Sequence, residues 1–563
     1  MLPSLFRTFI CVLCASVVLL PSRAAEPVHV SLHEQVDQLI EAGFSRWKVT
    51  AAERCSDAEF IRRITLDLSG TIPSADATAA FMADTSPTKR VELIDSLLSD
   101  ESFARHMAVV FDVMLMERRP DKYVTSNEWR EWLQTAFTEN RPLNTTMAQV
   151  LAANDIDDDG RRAAKFYLDR AVDKDVLVRD IGRLFLGVDL QCAQCHDHPD
   201  FSDYKHEHYY GLSVFVAGSK TFKLPNGKMA LQETLTREAE FASVFAPENM
   251  RKTGPRLLTS DVLEIPEFPE GEEYVEKPSS KVRSVPKFSL RELLARKLTG
   301  GETPEFARNM ANRLWAMLMG RGVVHPLDAH HAANPPSHPE LLAALGESFQ
   351  ESGFDTRSFL RELALSETYQ RSSMAPAEVD PSTIAAESFA VANMKGLSPE
   401  QLLHSLLNAT GSQGVFEKQV EDALMEDAEA WAELSADAEK LAAARDAKKA
   451  ERVKEFITLF GSTPGRPEGE FQASLPQSLF LANNPALIEW LEPQPDNLTT
   501  RLIAVDDPAD VGRMAYLSVL SRQPDDEEIS LLAEHLQSRD DRRAAIVEFV
   551  WSLVASAEFR LNH

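Results

Sequence analysis

Leu177-Val178-Arg179-Asp180-Ile181-Gly182-Arg183-Leu184-Phe185-Leu186-Gly187-Val188-Asp189-Leu190-Gln191-Cys192-Ala193-Gln194-Cys195-His196 is the stretch on which the fold and the chemistry of this chain both turn. Leu177, Ile181, Leu184 and Phe185 recur at helical spacing, which predicts a helix with one apolar face that delivers the chain to Gly187. Just beyond it stands Cys-x-x-Cys-His. Two thiols at this spacing can bond covalently to the two vinyl groups of a haem, and the adjoining imidazole can ligate its iron. The expected site is a haem c centre, with Cys192 and Cys195 as thioethers and His196 as the proximal ligand.

Helical rhythm extends in both directions. Val36, Leu39, Ile40 and Phe44 fall on one face of a first helix, and Ile61, Ile64, Leu66 and Leu68 run into Gly70 and Pro73. Val91, Leu93, Ile94, Leu97 and Leu98 make another amphipathic stretch. After Val214 the character changes. Thr221 to Leu224 and Lys228 to Leu231 flank Pro225-Asn226-Gly227 and predict a small hairpin. Six prolines spread over 247–287 exclude a regular helix and predict an extended connector. Helices resume at Leu290, with Phe306–Met319 and Leu341–Ser352 the clearest, and 417–460 has the composition of a long exposed helix or helical hairpin. The predicted fold is mainly α. Two helical domains, 30–215 and 290–563, are joined by a hairpin and proline-rich connector over 216–289, and an acidic helical insertion lies near 417–460.

The N-terminus predicts export. Arg7 precedes an apolar run from Phe9 to Leu20, too short for a comfortable bilayer span, and Ser22-Arg23-Ala24 offers a cleavage site after a signal peptide of residues 1–24. No later segment is apolar enough to span a membrane, so a periplasmic or cell-envelope location is expected. Five cysteines, two of them inside the signal, are too few for a disulfide-built scaffold, so the fold must rest on a hydrophobic core. A formal charge of −28 repels nucleic acid and anionic lipid. It suits a solvated acidic surface and could attract a basic protein partner.

Histidines gather in two windows. His196, His198, His206 and His208 flank the cysteines; His325, His330, His331 and His338 form the second group. By residue type His206, His208 and Met229 are candidates for the sixth iron ligand, whereas His198 is too close in sequence to reach the opposite face of the ring. Zinc held by Cys192, Cys195 and two of His196, His206 and His208 is an alternative, as is a plain disulfide. A thioredoxin-like pair would need a βαβ context that this region lacks. In the second window Asp328, His330, His331 and His338 could build a further metal or ligand site. The competing expectation there is a rigid turn, Asn334-Pro335-Pro336, followed by a helix capped by Ser337 with Glu340 completing a capping box. Asp155 to Gly160 imitates the start of a calcium loop, but Phe166 stands where the bidentate glutamate should be, which leaves an acidic surface loop. Cys55, lacking a partner at short spacing, is expected to be buried as a small apolar group. No nucleophile elbow, phosphate loop or dinucleotide fingerprint is present. A redox or binding protein is therefore expected over a periplasmic hydrolase, and a non-enzymatic structural or interaction protein with a zinc or disulfide clip is the alternative.

Longer motifs carry a resemblance. Arg62-Arg63-Ile64-Thr65-Leu66-Asp67-Leu68-Ser69-Gly70 with Pro73, Phe185-Leu186-Gly187-Val188 leading into Cys192 to Pro199, and Tyr209-Tyr210-Gly211 resemble the planctomycete cytochrome-c-like domain. Phe306-Ala307-Arg308 through Trp315 to Gly322, Asn334 to Leu342, Ser366 to Tyr369, Tyr516 to Pro524, and Ser556 to Phe559 with Asn562-His563 resemble the planctomycete-specific domain of unknown function that usually follows it. The resemblance implies two domains in this order, the first with a haem-like centre; the expected partner is an unidentified redox or structural protein. Asp200 before Phe201 and the insertion at 417–460 depart from the pattern.

Overall fold

The fold is described from a computed structural model over residues 30–154, 157–198, 203–258, 260–465 and 475–563. The export segment 1–24 and the departure at Asp200 lie outside them. Among the described residues the fold is mainly helical, with three two-stranded antiparallel sheets, as the periodicity predicts.

The helix Asp57–Ser69 explains the architecture. Ser56 caps its start by accepting from the Glu59 amide, and Gly70, at φ +74°, ends it in the left-handed conformation that glycine adopts without a Cβ penalty. Every residue from Phe60 to Leu68 is buried, so the helix is enclosed on all sides rather than laid on a surface. Ile61, Ile64 and Leu68 enter one apolar core and Leu66 enters a second. The first core runs from Leu32 to Phe389; the second gathers Leu397 to Phe559. The apolar packing therefore divides after Phe389, and the helices from Leu290 to Leu365 share a core with the N-terminal half.

The polar side chains of the Asp57–Ser69 helix tie the two cores together. The Arg62 guanidinium donates to the carbonyls of Val519 and Phe559 at 3.2 and 3.0 Å. That of Arg63 donates to the carbonyls of Tyr369 and Arg371. Asp67, fully buried, accepts from the Tyr369 hydroxyl (2.9 Å), Lys395 Nζ (2.5 Å) and Asn562 Nδ2 (2.7 Å). The C-terminal strand Leu561–Asn562 pairs with Lys395–Gly396 beside this node. Sequence motifs some five hundred residues apart thus meet at one carboxylate, with its charge matched by the ammonium of Lys395.

The hairpin forms as expected, Ser219–Lys223 against Met229–Glu233, with Gly227 at φ +85° in the turn. The connector is extended for much of its length but is not a free tether. It contains a second small sheet, Ala239–Phe241 with Arg251–Thr253, and Leu257 and Leu263 pack on the first core. The 417–460 segment is three helices, Gln413–Met425, Ala428–Ser435 and Ala438–Phe460. Phe416, Val420 and Phe456 anchor it to the second core, and the middle helix has no buried residue among those described. Asp157 caps the short helix Asp158–Ala163 through the Gly160 amide, and Phe166 is buried in the core. Cys55 is buried as expected, and burial raises its thiol pKa.

One cap differs from expectation. The helix Pro339–Glu351 takes His338, not Ser337, as its N-cap residue. The Ser337 hydroxyl instead donates to the Val323 carbonyl at 3.1 Å. Pro339 lacks an N–H and suits the first turn, so the helix starts one residue late and Glu340 falls out of capping-box register.

Candidate functional site

The helix Lys174–Ile181 continues into one π-helical turn, Gly182–Leu186, ended by Gly187 at φ +73°. Such single turns recur at functional sites because they re-aim the chain that follows. This one is clamped from the C-terminal half of the first core. Asn309 Nδ2 donates to the Leu184 carbonyl (2.8 Å), Arg313 Nη2 to that of Arg183 (2.7 Å), and the His330 amide to that of Gly187 (3.0 Å). Arg183 itself joins Glu117 and Asp328 at 2.6 and 2.7 Å, beside the Arg170–Asp180 pair.

The cysteines sit on the loop beyond this clamp. Cys192–Gln194 is a single 3-10 turn, and Cys192 and Cys195 are exposed, free thiols. The disulfide alternative is therefore not what the structure contains. His196 Nδ1 lies 2.6 Å from the Asp197 carbonyl oxygen. A carbonyl only accepts, so Nδ1 carries the proton and Nε2 holds the free lone pair. That nitrogen makes no hydrogen bond among the described residues. This is the arrangement that orients a ligating histidine: one ring nitrogen donates to backbone and the other is left for a metal.

Beside His196 opens a cleft of about 600 Å³ lined by His196, Asp197, Ser243, Phe245 and Arg251, within the size range of small-molecule and cofactor sites. Its far wall is the connector. The Val244 amide donates to the Cys195 carbonyl (3.1 Å), which brings Phe245 within 5.1 Å of the His196 ring, centroid to centroid. Val244, Phe245 and Met250 are 59, 79 and 59% exposed. Of these, Phe245 lines the cleft, and Val244 and Met250 are its neighbours along the chain. Beneath the loop Tyr210 stacks on Phe241 at 4.7 Å, and His206 meets both rings edge-on.

The remaining sequence candidates have other work. His206 Nε2 donates to the Gln194 carbonyl (3.1 Å), and its Nδ1 faces Arg251 Nη2 at 3.5 Å. His208 Nδ1 accepts from the Lys205 amide, and its ring also bonds the Asp203 backbone. Burial lowers the pKa of both imidazoles, so both are neutral braces with their nitrogens engaged. Met229 opens the second hairpin strand opposite Lys223, and its carbonyl accepts from Arg161. The zinc alternative thereby loses two of its three candidate histidines, His206 and His208, and keeps His196. Among the described residues no group of three or more His, Cys, Asp or Glu side chains is placed to hold a metal ion.

The second window does not assemble either. Asp328 is consumed by Arg183 and Arg313. His330 packs on Gly187, and Tyr204, in ring contact with His331, donates to the His330 carbonyl at 3.1 Å. His338 is buried elsewhere, against Gly43 and Phe389. Adjacent histidines point apart along the chain, so their density in sequence does not become density in space. Sequence reading missed Ser243, Phe245 and Arg251. They lie in the connector, reach the site through long-range contacts to Cys195, His196 and His206, and leave no periodic signal.

Two family models match this chain. Residues 35–221 match PSCyt2, a protein of unknown function (DUF1549), and residues 290–536 match PSD1, a protein of unknown function (DUF1553). The PSD1 match straddles the division between the two apolar cores, so its first hundred residues pack with the PSCyt2 region. No curated protein and no solved structure matches the chain. Among the described residues no helix is long and apolar enough to cross a membrane.

Proposed function

We propose that the protein is an exported one-electron carrier whose PSCyt2 region holds a covalent haem c at Cys192, Cys195 and His196. The observation that carries this reading is the His196 tautomer. Its Nδ1–H is spent on the Asp197 carbonyl, which leaves Nε2 without a hydrogen bond among the described residues; His196 lines an open cleft, and Cys192 and Cys195, on the same loop, are free, exposed thiols. Cys192 and Cys195 would each add an S–H bond across a vinyl C=C, which forms two thioethers and needs no oxidant. His196 would hold the iron through Nε2, and Phe245 would shield one flank from water. When bound, the haem supplies a reversible Fe(III)/Fe(II) couple, with its potential set by axial ligand, burial and hydrogen bonding. The protein would take one electron from a reduced protein partner and give one to an oxidised partner. Phe245 on the cleft wall, with Val244 and Met250 exposed near it in sequence, offers apolar side chains for contact with such partners.

The test is optical. Protein purified from the exported fraction of cells competent for haem attachment is expected to show a Soret band. Its pyridine haemochrome should survive acid–acetone extraction and correspond to one haem per chain. The double variant C192S/C195S should lose the resistant haem and keep the fold. Colourless wild-type protein free of iron from such cells overturns the proposal.

A further inference from the structure

We infer that Arg251 is the anion anchor of the cleft and binds the carboxylate edge of its ligand, which on the haem reading is a propionate. The inference rests on that reading for the identity of the ligand. It rests on the structure for the residue.

Arg251 lines the cleft with His196, Asp197, Ser243 and Phe245, and is the cation among those five. It has no acidic partner among the described residues. Asp197 lines the same cleft, yet its carboxylate accepts from the His206 amide at 2.8 Å and forms no ion pair with Arg251. The neighbour of Arg251, Lys252, is by contrast paired with Glu238 and Glu240 at 2.6 and 2.8 Å. Arg251 is nonetheless held in place. Its guanidinium lies 4.9 Å from the Phe241 ring centroid, and Nη2 faces His206 Nδ1 at 3.5 Å. His206 is in turn fixed by the Gln194 carbonyl, inside the cysteine loop. The cation is thus coupled by one imidazole to the loop that carries the thiols. Stacking on a ring and one contact to a neutral acceptor leave the rest of the five-donor fork unspent. Its planar geometry fits a carboxylate in bidentate fashion. A porphyrin bound through His196 presents two carboxylates and an apolar body; the cleft offers Arg251 for the first and Phe245 for the second.

The experiment compares the haem-loaded wild type with R251Q, R251K and K252Q. K252Q removes the same charge from the next residue of the strand. Removing a cation beside the ligand favours the oxidised, more positive state. In R251Q the ratio of oxidised to reduced protein at a fixed potential should rise about tenfold, a downward shift of about 59 mV for one electron. R251K should recover at least half of the shift, and K252Q should move by less than a third of it. If R251Q cannot retain haem while R251K and K252Q do, the anchor is equally supported. A potential for R251Q equal to wild type, or a shift in K252Q as large as in R251Q, overturns the inference while the haem reading stands. Wild-type protein without haem removes the haem reading. In that case apo-protein titrated with mesohaem, which lacks vinyl groups, decides the anchor alone: equal affinity for wild type and R251Q refutes it, and a tenfold loss sustains it.

Discussion

Gly187→Ala should destabilise the protein far more than a glycine-to-alanine change ordinarily does, and the excess can be isolated. Two costs combine at this position. The first is backbone: φ is +73°, and an L-residue held there loses about 1–2 kcal/mol. The second is space. A Cβ would lie 2.7 Å from His330 Cδ2 and 2.9 Å from Asn309 Oδ1. Neither neighbour can yield cheaply, since the His330 amide is bonded to Gly187 and the Asn309 amide to Leu184. Overpacking of this kind costs about 1–3 kcal/mol. Gly227 supplies the control. Its φ is +85°, yet a Cβ there meets nothing within 4 Å, so G227A carries only the backbone cost. The difference between the variants, about 1–3 kcal/mol, is the packing contribution alone. Urea unfolding followed by tryptophan fluorescence reads it, because Trp129, Trp132 and Trp315 are all buried in the core that contains the clamp. If G187A unfolds at a urea midpoint no lower than G227A, the contact between Gly187 and the His330–Asn309 pair is not rigid, and the account of the clamp fails.

Three further outcomes follow from the same structure. K395M strands the buried Asp67 carboxylate without its cation and should cost about 3–5 kcal/mol, most of it recovered in D67N/K395M; a double variant no more stable than the single would refute the pairing. Burial lowers the pKa of His106 and His338 to about 4, against about 6.5 in an unfolded chain. Between those values the unfolded state binds more protons. Stability is therefore unaffected above about pH 6.5 and falls as pH drops toward 4, by up to about 1.4 kcal/mol per pH unit for each histidine. A urea midpoint that does not move between pH 6.5 and 4.5, or an H338Q variant as pH-sensitive as wild type, contradicts the buried neutral state. Finally, with both ring nitrogens of His206 and His208 engaged, the ferric haem should not show a bis-histidine electron paramagnetic resonance spectrum; observing one would mean the cysteine loop rearranges on loading.

What could be read from sequence was whatever is encoded locally. Helices such as Asp57–Ser69 and Pro304–Met319 announce themselves by apolar spacing and a glycine stop, and the hairpin by its Pro-Asn-Gly turn. Two kinds of feature escaped. The Ser337 cap failed because the choice between adjacent N-cap residues depends on what else the hydroxyl can reach, here the Val323 carbonyl. The second histidine window failed because side chains at successive positions diverge, and only tertiary contacts reveal that His338 belongs to the first helix and His330 to the π-turn. The cysteine loop was legible as a motif, but its cleft was not: Phe245 and Arg251 stand about fifty residues downstream among prolines that suggest only a spacer.

That miss bears on why a chain of this size surrounds so small a site. The stretch from Arg183 to Cys195 is bonded at its start to the PSD1 region, through Asn309, Arg313 and His330, and at its end to the connector, through Val244. Neither hold comes from the helix that precedes it. An isolated PSCyt2 segment ending at residue 221 would lack both, along with Asp328, which neutralises Arg183 under the π-turn. The loop would then keep its thiols and the local His196–Asp197 contact but lose the cleft wall of Ser243, Phe245 and Arg251 and the clamp on the turn that presents it. On this argument residues 290–389 are part of the site's support rather than a separate module. Expressing 30–221 alone should yield protein with exposed apolar core and no covalently attached haem, whereas 30–389 should retain the first core. A well-folded, haem-bearing 30–221 fragment would show that the support comes from within the PSCyt2 segment after all.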